Sequence, residues 1–116
     1  VVRQAQALNH PLRAALVPAQ PDGPLPPAFA LASVDAEHVV LDTVKRAEDG
    51  DGWIVRLYEA WQYSGEDVTV TFGRPLRRAV ECNLMEEEIG EVRVDGPHLA
   101  FAIAPCEIRT FRVWLA

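Results

Sequence analysis

The sequence predicts an all-β protein, an antiparallel β-sandwich of about eight short strands with a proline-rich N-terminal arm. Three observations predict this class. Short segments rich in β-branched and aromatic residues alternate with turn residues roughly every 8–15 positions. No segment of helical length carries a convincing amphipathic pattern. Six of the nine prolines lie before residue 28, where they exclude a central strand.

The prolines divide the chain near residue 28 into an extended arm or linker, residues 1–28, and a sandwich domain, residues 29–116. Proline lacks a backbone donor and restricts the residue before it, so 17–27 is predicted to be extended coil without a ladder. A short strand or turn is predicted within Val2–Leu8. Part of the arm is expected to be anchored along the sandwich edge by three leucines, namely Leu8, Leu12 and Leu16.

Strands are predicted where β-branched and aromatic residues alternate between two faces, as Val68, Val70 and Phe72 alternate with threonines. In chain order the predicted strand segments are Phe29–Val34, His38–Arg46, Trp53–Trp61, Val68–Phe72, Val80–Leu84, Glu91–Val94, His98–Ile103 and Glu107–Leu115. The residues expected to be buried between the two sheets are Val55, Leu57, Val70, Phe72, Val80, Leu99, Phe101 and Phe111.

The acidic, glycine-containing segment 48–52 has two interpretations. A hairpin turn is favoured, because Asp and Gly tolerate positive φ, and Gly50 or Gly52 is expected to adopt it. The alternative is a calcium loop, since carboxylates separated by glycines can converge on a hard cation. The segment is too short for such a loop and lacks the distal glutamate. Ser64-Gly65 predicts a second turn.

Composition excludes several classes of partner. Eleven basic residues against 17 acidic ones give a net charge of −6, which disfavours nucleic acid. No apolar run approaches the roughly 20 residues of a membrane helix, so no membrane partner is predicted. The run Glu86-Glu87-Glu88 is interpreted as a solvated loop, with a cation site as the alternative.

Cys82 and Cys106 do not have the spacing of zinc ligands, and we interpret them as small buried residues in a reducing compartment. A disulfide between them is left open, because spacing does not determine geometry. Val1-Val2-Arg3-Gln4 lacks the apolar region of a signal peptide. A cytoplasmic location is therefore expected.

No catalytic, cofactor-binding or metal-binding motif occurs in the chain, so no residue is predicted for those roles. The candidate binding residues are Trp61 and Tyr63, two apart near a predicted strand end, where exposed rings would stack on a sugar. Packing or an interdomain contact is the favoured alternative for this pair. The other aromatic residues within apolar strands are predicted to lie in the core, namely Trp53, Tyr58 and Trp114.

One long segment carries a family resemblance. Val39–Ala60, which reads VVLDTVKRAEDGDGWIVRLYEA, resembles the C-terminal β-sandwich segment of family 38 glycoside hydrolases, the α-mannosidases. Asn9-His10-Pro11-Leu12 is similar to an N-x-P-L element upstream. Ala79–Glu86 is similar to a strand ending in A-x-x-x-x-L-x-E, and Pro105–Phe111 to a closing P-x-E-I-x-T-L/F strand. The resemblance covers nearly the whole chain.

The resemblance implies a non-catalytic domain of a larger enzyme. The family's zinc ion and aspartate nucleophile belong to an N-terminal α/β domain, and none of those positions lies in this chain. The larger enzyme, the parent of this domain, would hydrolyse terminal α-mannosides with retention of configuration. It would hold zinc in its N-terminal α/β domain. This domain would support packing or assembly, with the preceding domains as partners and a homo-oligomer left open. The alternative is a carbohydrate-binding module in which Trp61 and Tyr63 stack on mannose.

Overall fold

The computed structural model describes residues 2–63 and 67–116, so the predicted Ser64-Gly65 turn lies outside the described residues. One helix, α1, precedes nine strands within the described chain. Helix α1 spans Val2–Asn9. The strands are β1 Ala32–Val34, β2 Val39–Arg46, β3 Trp53–Glu59, β4 Asp67–Phe72, β5 Leu76–Cys82, β6 Glu88–Val92, β7 Val94–Asp95, β8 His98–Ala102 and β9 Ile108–Leu115.

The strands form two sheets, which confirms the predicted all-β sandwich. The four-stranded sheet has the order β1-β4-β8-β7, and the five-stranded sheet the order β2-β3-β9-β5-β6. Every strand pair in both sheets is antiparallel. Strands β2 and β6 are therefore the edges of the larger sheet, and their neighbouring loops carry the surfaces discussed below.

The core lies between the sheets, and all eight residues predicted to be buried are at most 7% exposed. Seven of them belong to the inter-sheet cluster. Val80 is the exception, because it pairs with Arg112, which in turn pairs with Ile54. Directly opposed residues share a face of a sheet, so Val80 is buried on the outer face of the five-stranded sheet.

The aromatic residues predicted for the core are not fully buried. Trp53 is 36% exposed, and Tyr58 and Trp114 are partly exposed. The indole Nε1 of Trp114 donates a hydrogen bond to Asp51 Oδ1 at 2.9 Å, and the Arg78 guanidinium lies 4.7 Å from the indole centroid. A tryptophan with a polar atom to satisfy is suited to such a boundary position.

The hairpin turn between β2 and β3 is confirmed. The two strands pair from Val39 with Glu59 to Arg46 with Trp53, and Gly50 and Gly52 have φ of 80° and 85°. The Asp49 carboxylate accepts the Asp51 N–H at 2.9 Å and Arg112 Nη1 at 2.8 Å. Both bonds lower the pKa of Asp49, the Asp51 N–H more than Arg112. The two Asp49 carboxylate oxygens, which the calcium interpretation assigns to a cation, thus accept hydrogen bonds from the protein.

The N-terminal segment differs from its prediction, since Val2–Asn9 is a helix rather than a strand or turn. Gln, Ala and Leu favour a helix, and Pro11 prevents its continuation. The exposed fractions of Leu8, Leu12 and Leu16 are 81%, 103% and 104%. These leucines therefore do not anchor the arm. The helix lies beside edge strand β2, because Gln6 lines the same cleft as Val39–Leu41. The domain boundary near residue 28 stays a prediction.

Two loop predictions are also corrected. Strand β5 ends at Cys82, Leu84 beyond it is 60% exposed, and Glu86 is buried, so the acidic run is not simply a solvated loop. Cys82 is buried but Cys106 is exposed, because Cys106 lies in the β8–β9 turn with φ of 60°.

Within the described residues no helix has the length and apolar character to cross a membrane.

Candidate functional site: the aromatic turn after strand β3

The candidate binding residues Trp61 and Tyr63 lie in the turn that follows β3. Strand β3 ends at Glu59, two residues earlier than predicted. The alternation of a strand therefore does not set the directions of the two rings. Their exposed fractions are 57% for Trp61 and 46% for Tyr63, so both rings present a large part of their surface to solvent.

The turn is organised by one buried carboxylate, that of Glu59, which is 3% exposed. Its Oε1 accepts the N–H groups of Trp61 at 2.7 Å and Tyr63 at 3.1 Å. Its Oε2 accepts those of Gln62 at 2.8 Å and Cys106 at 2.9 Å. A φ of 59° at Gln62 curves the backbone so that three successive N–H groups reach one carboxylate. Glu59 thus joins the aromatic turn to the β8–β9 turn.

These hydrogen bonds set the charge of Glu59. Desolvation alone would raise its pKa, but the four backbone donors outweigh this effect and lower the pKa to about 2. The bonds stabilise the ionised form, which is the form present at neutral pH. A depressed folded-state pKa gives stability that is fully present above the ordinary pKa of 4.5. That stability is lost as the pH falls toward 2.

Sequence reasoning missed Glu59, although a signal was present. Val55, Leu57 and Glu59 are spaced by two along the predicted strand, so the carboxylate falls on the face that the apolar residues bury. A charged group at a buried position requires dedicated partners. The turn immediately after the strand supplies them.

A second contact positions the Tyr63 ring. The ring centroids of His38 and Tyr63 are 5.0 Å apart with an interplanar angle of 55°, and His38 is buried. The backbone oxygen of His38 accepts the Ala60 N–H at 2.8 Å. The histidine that precedes β2 therefore acts as a support for the aromatic turn.

Trp61 borders a cleft of about 300 Å³ between helix α1 and the β1–β2 turn. Gln6, Asp35 and Glu37 contribute polar groups to its wall. Asp35 is fixed in place, because its Oδ1 accepts the Thr69 N–H at 2.9 Å. An exposed indole beside carboxylates combines a flat apolar surface with acceptors for hydroxyl groups. This combination is the arrangement that the sugar-stacking prediction for Trp61 calls for.

Among residues 2–63 and 67–116, no three or more His, Cys, Asp or Glu side chains are grouped so that they could hold a metal ion. The described residues therefore do not provide a ligand set for the zinc that the resemblance implies for a parent enzyme.

Two antiparallel sheets around a shared core, with an ordered aromatic turn at one end, define a β-sandwich domain. The chain belongs to the family of glycosyl hydrolases family 38 C-terminal β-sandwich domains, whose family model matches residues 38–111. This confirms the resemblance. The matched region runs from the start of β2 into β9 and includes the Glu59 turn.

A curated relative agrees with this family. The chain is 34% identical over 85 residues to "Alpha-mannosidase G" of Dictyostelium discoideum. The aligned region covers 69% of this chain and 8% of that protein. The chain thus spans a small part of the length of the relative that it matches.

Proposed function

We propose that the chain is a non-catalytic domain of a larger α-mannosidase, called here the parent enzyme, and that it supports the packing or assembly of that enzyme. The observation that carries the proposal is the family 38 C-terminal domain match over residues 38–111. The described residues in and around that region lack a metal-binding group. A domain with a hydrophobic core of its own is suited to a supporting role.

Exposed apolar side chains support a packing role. Several side chains N-terminal to the sandwich are more than half exposed although they are large and apolar, namely Leu8, Leu12, Leu16, Val17 and Leu25. Single exposed apolar residues are common, but a succession of them is typical of a surface that another protein element covers. In the parent enzyme we expect neighbouring domains to cover this segment.

The reaction of the parent enzyme follows from the resemblance. We expect retaining hydrolysis of terminal α-mannosides, with zinc held in the domain that contains the catalytic aspartate. A cytoplasmic location is part of the same proposal. The sandwich domain would contribute no group to bond cleavage.

An activity assay tests whether catalysis belongs to the parent enzyme and not to this domain alone. The 116-residue chain and the parent enzyme are each incubated with a chromogenic α-mannoside and added zinc. We expect turnover by the parent enzyme and only the rate of the buffer blank with the 116-residue chain. Turnover by that chain above the blank, retained through repeated purification, would refute the non-catalytic role.

A second candidate function, mannose binding, is favoured by one specific observation: the Trp61 ring is 57% exposed on a turn that Glu59 already orders. A turn whose backbone is already ordered loses little backbone conformational entropy when a ligand stacks on its side chain. The Trp61 cleft, bounded by Asp35 and Glu37, would receive the sugar hydroxyls.

Tryptophan fluorescence tests this candidate. Titration of the 116-residue chain with methyl α-mannoside should quench or shift the emission. Trp61→Ala should abolish the change, whereas Trp53→Phe, at a tryptophan outside that cleft, should retain it. A flat titration into the high millimolar range would eliminate sugar binding and leave the packing role intact.

A further inference from the structure

The segment 83–87, called here the Asn83 loop, connects β5 to edge strand β6 and is tightly hydrogen-bonded. Asn83 Oδ1 accepts the N–H groups of Met85 at 2.9 Å and Glu87 at 3.0 Å. The Asn83 N–H donates to the backbone oxygen of Glu87 at 3.0 Å, and the Glu86 N–H donates to the backbone oxygen of Asn83 at 3.1 Å. The backbone of this loop is therefore fixed by its own asparagine.

Glu86 fastens the loop to the outer face of the five-stranded sheet. Its carboxylate is buried and pairs with Lys45 Nζ at 2.7 Å. The same carboxylate accepts the Glu48 N–H at 2.9 Å. Its backbone oxygen accepts Arg112 Nη2 at 3.3 Å, and the Leu84 oxygen accepts Arg56 Nη2 at 3.3 Å. Contacts from β2, β3, β9 and the β2–β3 turn thus hold the loop.

The loop has the reverse of the usual arrangement of polar and apolar groups. Of its two glutamates, Glu86 points inward and Glu87 is exposed, while Leu84 and Met85 are 60% and 80% exposed. Ile89, at the start of β6, is 66% exposed. Because the backbone of the loop is already ordered, these side chains can bind a partner with little further loss of backbone conformational entropy.

Charged groups border these apolar side chains. Lys45, Glu48 and Arg56 line a depression of about 250 Å³ together with Leu84 and Met85. An apolar centre with a polar rim is the usual anatomy of a protein–protein interface. The sequence element A-x-x-x-x-L-x-E, at Ala79–Glu86, includes both the exposed leucine and the buried glutamate.

We propose that Leu84 and Met85 insert into an apolar pocket on another domain of the same parent enzyme. This inference rests on the proposed function and specifies the surface through which the domain packs. The occupant is argued from length and charge. The match covers only 8% of the relative's length, so most of such a polypeptide lies outside this domain. The net charge of −6 disfavours a second copy of this chain as the occupant.

The only methionine in the sequence, Met85, reports directly on this surface. The 116-residue chain and the parent enzyme are treated with dilute hydrogen peroxide, and sulfoxide formation at Met85 is followed by peptide mass spectrometry. Because oxidation requires access to the sulfur, we expect it to be at least tenfold slower in the parent enzyme. Equal rates in the two proteins would overturn the proposal.

A paired variant in the parent enzyme separates this inference from the proposed function. Leu84→Ser with Met85→Ser should leave the 116-residue chain folded, because Asn83 and Glu86 hold the loop. In the parent enzyme it should lower the temperature at which the sandwich unfolds. Ile108→Ser, at an exposed residue of β9, is the matched control and should have a smaller effect.

Calorimetry of the parent enzyme then distinguishes the outcomes. If the sandwich unfolds together with the other domains but the paired variant changes nothing, packing uses a different surface and only the Leu84–Met85 inference fails. If the sandwich unfolds independently, at the melting temperature of the 116-residue chain, both the inference and the packing role fail.

Discussion

Phe101 offers the sharpest test of the inter-sheet core. It lies on β8 opposite Val68 of β4 and is 7% exposed. Its ring centroid is 4.6 Å from that of Phe111 on the facing sheet, and the Arg109 guanidinium lies over both rings at 5.6 and 5.5 Å. Phe101→Ala therefore removes a contact that joins the two sheets.

The expected cost of Phe101→Ala is about 3–5 kcal/mol, the usual range for a buried phenylalanine that leaves a cavity. Roughly 1 kcal/mol of this is assigned to the ring pair with Phe111. An unfolding entropy of about 2.1 cal/mol/K per residue over 116 residues converts the loss into a melting-temperature decrease of about 12–20 °C.

Urea denaturation followed by circular dichroism measures this loss. Ile108→Ala is the control, since Ile108 is 52% exposed on β9, and it should cost less than about 1 kcal/mol. A typical domain has a stability of about 5–15 kcal/mol, so Phe101→Leu provides a milder variant if Phe101→Ala fails to fold. A loss below about 1 kcal/mol for Phe101→Ala would show that the two sheets do not pack through this ring.

Three further predictions concern the turns and the arm. Glu59→Gln should lower the melting temperature at pH 7. The difference in melting temperature between the variant and the native chain should shrink as the pH falls from 4.5 toward 2. A difference that stays constant with pH would contradict the role of the ionised carboxylate. Gly50→Ala should cost about 1–2 kcal/mol in urea denaturation because of its positive φ. Gly52→Ala should cost more, since its Cβ would lie 3.0 Å from the Val113 oxygen; equal costs would contradict that close approach. Deleting residues 1–15 should change the melting temperature little, because Leu8 and Leu12 are exposed, and a large decrease would show that α1 stabilises the sandwich.

The sequence was sufficient for features that depend on local pattern. Alternation along residues 68–72 and 99–103 gave the buried faces of β4 and β8, since the side-chain period of a strand is two residues. The glycines of segment 49–52 gave the β2–β3 hairpin, because positive φ is a local requirement. The face of Val80 was not predictable in this way, since both faces of the five-stranded sheet bury apolar side chains at that strand.

Features that depend on long-range partners were less accessible. The burial of Glu86 requires Lys45 and Glu48, which are about forty positions away in the sequence. The Glu59 turn requires the Cys106 N–H, 47 positions away, from the turn that connects β8 of one sheet to β9 of the other. The sequence suggested a solvated side chain for Glu86 and gave no prediction for Glu59. The burial of neither carboxylate was predicted, because desolvation is offset only by groups that the fold brings together.

The role that we propose for this sandwich is to support a mannosidase without taking part in its chemistry. The most direct measurement is the heat inactivation of the parent enzyme with and without Phe101→Ala. We expect the variant to retain the native kcat at a temperature where the sandwich is folded. Activity should then be lost at a temperature lowered in step with sandwich unfolding. An unchanged inactivation temperature, while the sandwich unfolds earlier, would contradict the supporting role.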